Sequence, residues 1–451
     1  MGELTASTSR RSALSLSWVA LCIVGSGALT YGYLAIVARN LSGGEYGGFG
    51  AFWSMSLIVG FGAFLPVELE LARRLSARRS AGLPALTTTT ICLLVVGCLV
   101  ALGAAAPLLV PAFAGDRGTL APLGLLVLVS AGQFLLRGLL LGTGRLQTHG
   151  TLLLIDSVLR VALAVGVSLV FPSAGQTAFA WTLVVAAALT HLPLLAWTRL
   201  RPQARSGVKD SSDVSAGPGR SEVDERPFPS AVAHLLVGSL AAQVLLNSSP
   251  VLIASVADAA EAPLAAAYVA TFTLVRLPLF VAVPLQSALV PVIIGARERG
   301  GPSAVRRLVI RTLAATAAAG AAALALGASV GPWVVSVLFG AQYALSRPET
   351  GLLALGAGLH LGLLVLSQVL VSAGRQRRVA VVWTAGLSIG SVVFWALPDL
   401  VLRASLAFTV GSGAALIVSA AFLVSTSQPL SPDRAPDGPP REKGLTRPRG
   451  D

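Results

Sequence analysis

The sequence has 451 residues, of which 54% are hydrophobic and only 12% charged. Soluble globular chains carry about 25% charged residues, so this composition, with a mean hydropathy of +0.78, excludes an ordinary water-soluble fold and turns the length into a count of membrane spans of about 20 apolar residues each. A net charge of +13 would point a soluble chain toward nucleic acid, but the placement of the charges excludes that partner here.

In chain order, apolar stretches fall at 15–38, 48–67, 85–113, 119–142, 150–171, 177–198, 230–257, 263–293, 305–339, 350–373, 378–398 and 403–425. They predict an all-α polytopic membrane protein of about twelve transmembrane helices. Stretch 305–339 is long enough to include a short re-entrant turn near Gly331 and Pro332. With the N-terminus on the cytoplasmic side, 25 of the 33 basic residues fall in inner connections. These connections include "ARRLSARR" at 72–79, "RERG" at 297–300 and "RQRR" at 375–378. Four (Arg39, Arg117, Arg347, Arg403) fall outside and four (Arg137, Arg160, Arg276, Arg311) within spans. A missed helix would scramble that alternation, so the excess of positive charge is a topology signal that places both termini in the cytoplasm and the chain in the cell membrane. "TSRRSALSL" at 8–16 has the look of a twin-arginine export signal, but the apolar run after it is too long for one.

The segment 199–229 is polar and rich in Pro, Gly and Ser, so it reads as a disordered cytoplasmic linker. It separates a first six-helix bundle (1–198) from a second (230–425). The tail, 426–451, has the same composition. The halves echo one another. "YGGFGAFWSMSLIVGFGAFLPVELELARR", from Tyr46, parallels "AAAYVATFTLVRLPLFVAVPLQSALVPVI", from Ala265, and "QFLLRGLLLGTGRLQ" (133–147) parallels "QVLVSAGRQRR" (368–378). Six helices per half make this a parallel pseudo-repeat about an axis along the membrane normal, with a cavity expected between the bundles.

No stretch carries a paired-carboxylate motif, a metal-ligand spacing or a phosphate-cradling glycine loop, and Cys22, Cys92 and Cys98 all lie in apolar runs. The sequence therefore predicts neither an enzyme nor a cofactor or metal. The ionisable residues inside spans remain. A charge near the bilayer centre costs roughly 2.5–3.5 kcal/mol on insertion scales, so it faces a cavity or a partner. Arg276 has no acid in its own stretch. Asp156 can pair with Arg160 one turn on, or with Arg137 across the hairpin. Glu68 and Glu70 form a salt-bridge set with Arg73 and Arg74. Arg137, Arg160 and Arg276 against Asp156 leave a cavity of +2, which selects an anion such as a diphosphate on a lipid carrier. Gln133, Asn247, Gln286 and Gln368 are further cavity candidates. Gln243 is grouped with them as a helix–helix hydrogen bonder. Asp156 and His360 are ion-coupling candidates, whereas His191 and His234 read as interfacial. Pro278, Pro284 and Pro291 mark a gate helix.

"ARNLSGGEYGGFGAF" (38–52) resembles the first outer loop of the polysaccharide or O-antigen flippase branch of the multidrug/oligosaccharidyl-lipid/polysaccharide exporter superfamily, and "LVRLPLFVAVPLQSALVPVI" (274–293) resembles its eighth helix. The resemblance implies an alternating-access transporter that moves a lipid-diphosphate-linked oligosaccharide to the outer leaflet. It implies a cationic central cavity held by Arg276 first, then Arg160 and Arg137. The expected partners are that anionic lipid-linked glycan, membrane lipids and glycan-assembly proteins docking on the linker or tail. The alternatives are a drug or metabolite antiporter of the same fold and a non-transporting scaffold of an envelope-assembly complex.

Overall fold

The computed structural model describes the backbone of residues 2–77, 83–200, 227–372 and 375–425, and side chains for most of these from 17 onward, with the largest gap at 280–302. The linker and tail therefore lie outside the described residues. Among the described residues twelve helices are long and apolar enough to cross a membrane. In chain order the spans are Ser17–Asn40 (span 1), Gly43–Ser76 (span 2), Ala85–Ala112 (span 3), Arg117–Gly142 (span 4), Leu146–Val170 (span 5), Gln176–Trp197 (span 6), Phe228–Val256 (span 7), Ala262–Leu279 (span 8), Arg306–Leu338 (span 9), Arg347–Val371 (span 10), Arg377–Ala396 (span 11) and Leu400–Ser425 (span 12). The end of the molecule where the Arg-rich connections emerge is called the basic end below, and the opposite end the far end.

Three elements depart from the sequence expectation. Span 2 runs on as helix to Ser76, because its acids are neutralised in place. Glu70 takes Arg73 at 2.7 Å and Arg74 at 2.6 Å, while Glu68 pairs elsewhere. No re-entrant turn forms at Gly331 and Pro332. Helix continues to Leu338, with Gly331 set against Thr350 of span 10. Finally, the expected single eighth helix is two. Ala262–Val275 ends at Arg276, and a new helix runs from Leu277 to Leu338. It passes through the "RERG" connection, where the sequence expected a break. Pro278 explains the interruption at Arg276, since it offers no N–H to Leu274 O and sits in the first turn of the new helix, where none is needed.

Span 2 is interrupted as well. Ile58–Phe64 is a π-helix. Leu65 N–H reaches back five residues to Gly60 O, which is the π register. In that register Phe61 O would await residue 66, and Pro66 has no N–H to give. The orphaned carbonyl is satisfied from the other bundle, where Ser239 Oγ of span 7 donates to Phe61 O at 2.7 Å. Leaving such a buried acceptor unpaired costs about 1–3 kcal/mol.

The two interrupted spans meet at the centre of the molecule. Gly47 lies against Ala266, and Gly50 against Val269. When the two stretches are paired from Tyr46 and Ala265, these are repeat mates of each other. Equivalent residues touch only on a twofold axis, so the contact places the pseudo-repeat axis between spans 2 and 8. On the same pairing Leu57, just before the π segment, is the mate of Arg276. Both central spans therefore break at the same depth, about 21–22 Å from their far-end starts at 1.5 Å per residue.

At the far end one apolar cluster belongs to both bundles and includes Tyr33, Tyr46, Phe49 and Phe52 of the first with Val269, Phe339 and Tyr343 of the second. Tyr343 Oη donates to Ala38 O and Leu41 O at 3.2 Å each, and its ring lies 4.9 Å from Tyr46. Arg39 Nε donates to Leu338 O at 3.2 Å. The far end is thus sealed between the bundles. At the basic end Arg74 lies over the ring of the wholly buried Phe228, the first residue of span 7.

Candidate functional site

Arg276 occupies the break in span 8, with φ −82° and ψ −6°. Its residue is 3% exposed. Nη1 donates to Asn247 Oδ1 at 2.6 Å and to Leu246 O at 3.3 Å. The guanidinium carbon stands 4.5 Å over the Phe272 ring. Nε has no partner among the described residues. Every one of these partners is neutral, and among the described residues no carboxylate forms an ion pair with Arg276. One turn earlier Tyr31 Oη of span 1 donates to Thr273 O at 2.9 Å, so the first bundle braces the helix just ahead of the break.

Asn247 owes its orientation to its own helix. Its Nδ2 donates to Gln243 Oε1 at 2.9 Å and to Gln243 O at 3.0 Å, which turns Oδ1 toward Arg276. Ser239, Gln243 and Asn247 are spaced i, i+4, i+8 and so share one face of span 7. That face touches both interruptions: Ser239 the π segment of span 2, and Asn247 the break of span 8. Gln243 lies between, and its Cβ is 3.5 Å from where Gly62 of the π segment would carry a side chain. The sequence reading took Asn247 and Gln243 as polar residues without their partners and passed over Ser239. The i, i+4, i+8 spacing was the signal available.

The other two arginines are placed differently. Arg137 pairs with Glu68 (Nε to Oε2 3.0 Å) between spans 4 and 2, with its guanidinium 4.7 Å from the Phe134 ring and 5.9 Å from Phe61. The alternative pairing with Asp156 does not form, nor does Glu68 belong to the Arg73–Arg74 set. Asp156 pairs with Arg160 within span 5, as its i, i+4 spacing allowed. The expected +2 is therefore corrected: Arg137, Arg160 and Arg276 against Glu68 and Asp156 leave one surplus charge, and it resides on Arg276. Two histidines complete the first bundle's polar interior. His191 is wholly buried, with Nδ1 on Ala187 O at 2.9 Å. His149, which the sequence reading did not weigh, is buried in span 5. His234 is exposed, with Nδ1 on Ser230 O at 2.7 Å.

His360 is packed inside the second bundle, with Nδ1 3.0 Å from Ser412 Oγ and its ring 5.5 Å from Trp383 and 5.6 Å from Phe408. Gln133 is buried one turn before Arg137, and Gln368 is half-buried in span 10. Pro278 is exposed. The side chains of Gln286, Pro284 and Pro291 lie outside the described residues. A hollow of about 650 Å³ opens beside the first bundle, lined by Trp18, Gln147, Thr151 and Ile155 among others. A much smaller one in the second bundle is lined by Leu245, Ser249 and Phe394. Neither is lined by any of the three arginines, so the watery chamber expected around them does not open onto either hollow in this conformation. Among the described residues no group of three or more His, Cys, Asp or Glu side chains is arranged to hold a metal.

No protein-family model matches the chain. It is 25% identical over 390 residues to an uncharacterized protein of Mycobacterium tuberculosis, and equally to one of Mycobacterium bovis, with 82% of this chain and 82% of each relative covered. Among solved structures it is similar to an inward-facing MATE family transporter of the MOP superfamily (TM-score 0.60, 15% identity, 89% of this chain and 94% of that one). An outward-facing conformation of such a transporter matches at TM-score 0.56 and 16% identity, over 92% of this chain and 95% of that one. A MOP superfamily transporter from Pyrococcus furiosus, whose binding pocket is described as of reverse polarity and suggesting a different function, matches with the same four values. The chain thus has the twelve-helix fold of these membrane transporters.

Proposed function

We propose that the chain is an alternating-access transporter whose substrate carries a diphosphate on a lipid, and that it moves a lipid-diphosphate-linked oligosaccharide from the inner to the outer leaflet of the cell membrane for cell-surface polysaccharide assembly. The observation that carries this reading is Arg276, a permanently charged side chain buried at the break of a central span and held by neutral acceptors only among the described residues. A guanidinium in that state has its strongest interaction still to make, because a charge-assisted bidentate bond to a phosphate is roughly twice as strong as a neutral one. Its place beside the pseudo-repeat axis suits a substrate that both bundles must enclose, as expected for parallel-repeat transporters.

In this reading the basic end faces the cytoplasm, both termini lie there, and the sealed far end faces outward. Substrate enters from the basic side, the diphosphate takes Arg276, and release outward requires parting Tyr343 from Ala38 and Leu41. Arg137 and Arg160 keep their carboxylates and support the first bundle. Glycan-assembly proteins are the partners this reading implies for the linker and tail. The antiporter alternative needs an unpaired acid for a cationic drug, and the three described acids buried within spans, Glu68, Glu70 and Asp156, are already paired.

The test is transport in vesicles of the purified chain with a fluorescent lipid-linked diphosphate sugar. Arg276→Ala is expected to lower the rate about 10- to 100-fold, the loss of one charged hydrogen-bonding contact, with Arg276→Lys intermediate. An unchanged rate in Arg276→Ala removes this residue from the substrate site and the diphosphate reading with it.

A further inference from the structure

We propose that Asn247 is a placeholder acceptor on the Arg276 guanidinium, displaced when substrate binds, and that the Ser239–Gln243–Asn247 face of span 7 conveys the occupancy of Arg276 to the π-helical segment of span 2. The proposal rests on the diphosphate reading of Arg276 and adds how binding in one bundle is felt in the other.

The geometry supplies the contacts at both ends, and the shared helix face joins them. Asn247 Oδ1 is a neutral acceptor 2.6 Å from Arg276 Nη1. A phosphate oxygen competes for the same donor with an advantage, because it is charged. Once displaced, Oδ1 has lost the donor it faced, while Nδ2 remains tied to Gln243. The amide then turns, and Gln243 turns with it. Gln243 has little room, because it backs onto Gly62, whose missing side chain is what lets span 7 approach this closely. One turn further, Ser239 holds Phe61 O in the π register. A π segment and an α-helix differ by one residue in hydrogen-bond spacing, so in this proposal Ile58–Phe64 switches between two discrete registers, of which the structure holds the π one. Such an element, biased from both sites, is what coupling across a molecule physically requires. The residues after it, Glu68 and Glu70, carry the ion pairs that fix the basic-end half of span 2 to Arg137 and to Arg73 and Arg74.

The experiment uses the full chain in nanodiscs, in a cysteine-free background, with geranylgeranyl diphosphate as the probe. Binding is measured by titration. Movement is measured as the distance between spin labels at Ser42→Cys and Leu69→Cys, which flank the π segment and are exposed. The otherwise native chain is expected to bind the probe and to shift the label distance. Asn247→Ala, which frees Arg276, should bind three- to tenfold tighter. Asn247→Asp, which places a carboxylate against Arg276, should bind at least tenfold weaker. Ser239→Ala should bind within threefold of native yet lose the distance shift, and Ser239→Thr, which keeps the hydroxyl, should retain it. Weaker binding in both Asn247 variants overturns the placeholder role, because a displaced competitor gives opposite signs for Ala and Asp whereas a merely structural residue gives one. A distance shift that survives in Ser239→Ala overturns the relay. Absence of binding to the native chain overturns the diphosphate reading itself, a failure separable from the other two.

Discussion

The two bundles treat buried charge in opposite ways. In the first, each mid-span arginine has its own acid: Arg137 takes Glu68 across spans 4 and 2, and Arg160 takes Asp156 within span 5. In the second, Arg276 has an asparagine, a carbonyl and an aromatic face. A paired charge contributes to holding helices together, whereas an unpaired one adds little to stability and persists for another reason. Three arginines that look alike in the sequence thus separate into two with carboxylate partners and one with neutral partners only among the described residues.

That contrast can be broken at three points. The largest effect is expected for Glu68→Ala, which strands the Arg137 guanidinium between two aromatic rings. Removing one partner of a buried pair costs about 3–5 kcal/mol, and thermal unfolding in detergent should show a large fall in Tm. A double change of Glu68 and Arg137 to Leu and Met should recover most of it. Asp156→Ala should cost less, about 1–3 kcal/mol, because Arg160 is partly exposed and sits on the same helix. Arg276→Met should have the smallest effect on stability and the opposite sign: unchanged or about 1 kcal/mol more stable, since an uncompensated buried charge gives way to an apolar side chain of similar length. If Arg276→Met unfolds the chain as readily as Glu68→Ala does, the distinction between the bundles fails.

Much of the architecture was legible in the sequence because lipid leaves few choices. Twelve apolar runs were enough for the span count. The repeat between the stretches starting at Tyr46 and Ala265 was readable too, although only the contacts of Gly47 with Ala266 and Gly50 with Val269 show that it marks an axis. The site was less legible, for a physical reason. Glu68 lies only five residues before Arg73, so proximity in sequence favoured Arg73 and Arg74. Its actual partner comes from span 4, because span 2 stays helical past the expected boundary and brings Glu68 beneath Arg137. The π segment was hidden as well. Pro66 is visible as a missing donor, but the register it permits depends on a hydroxyl from Ser239, far along the chain. Arg276 was singled out on the absence of a nearby acid, and its neutral surroundings in the structure leave that oddity standing.

The meeting of repeat mates has a consequence under the proposed alternating access. Their symmetry axis runs along the membrane normal, whereas bundles that open in turn to either side rock about a line in the membrane plane. Gly47 and Gly50 touch Ala266 and Val269 on the far-end side of both interruptions, so these contacts have to part when that end opens. A covalent tether between them would trap the chain with its outer mouth shut.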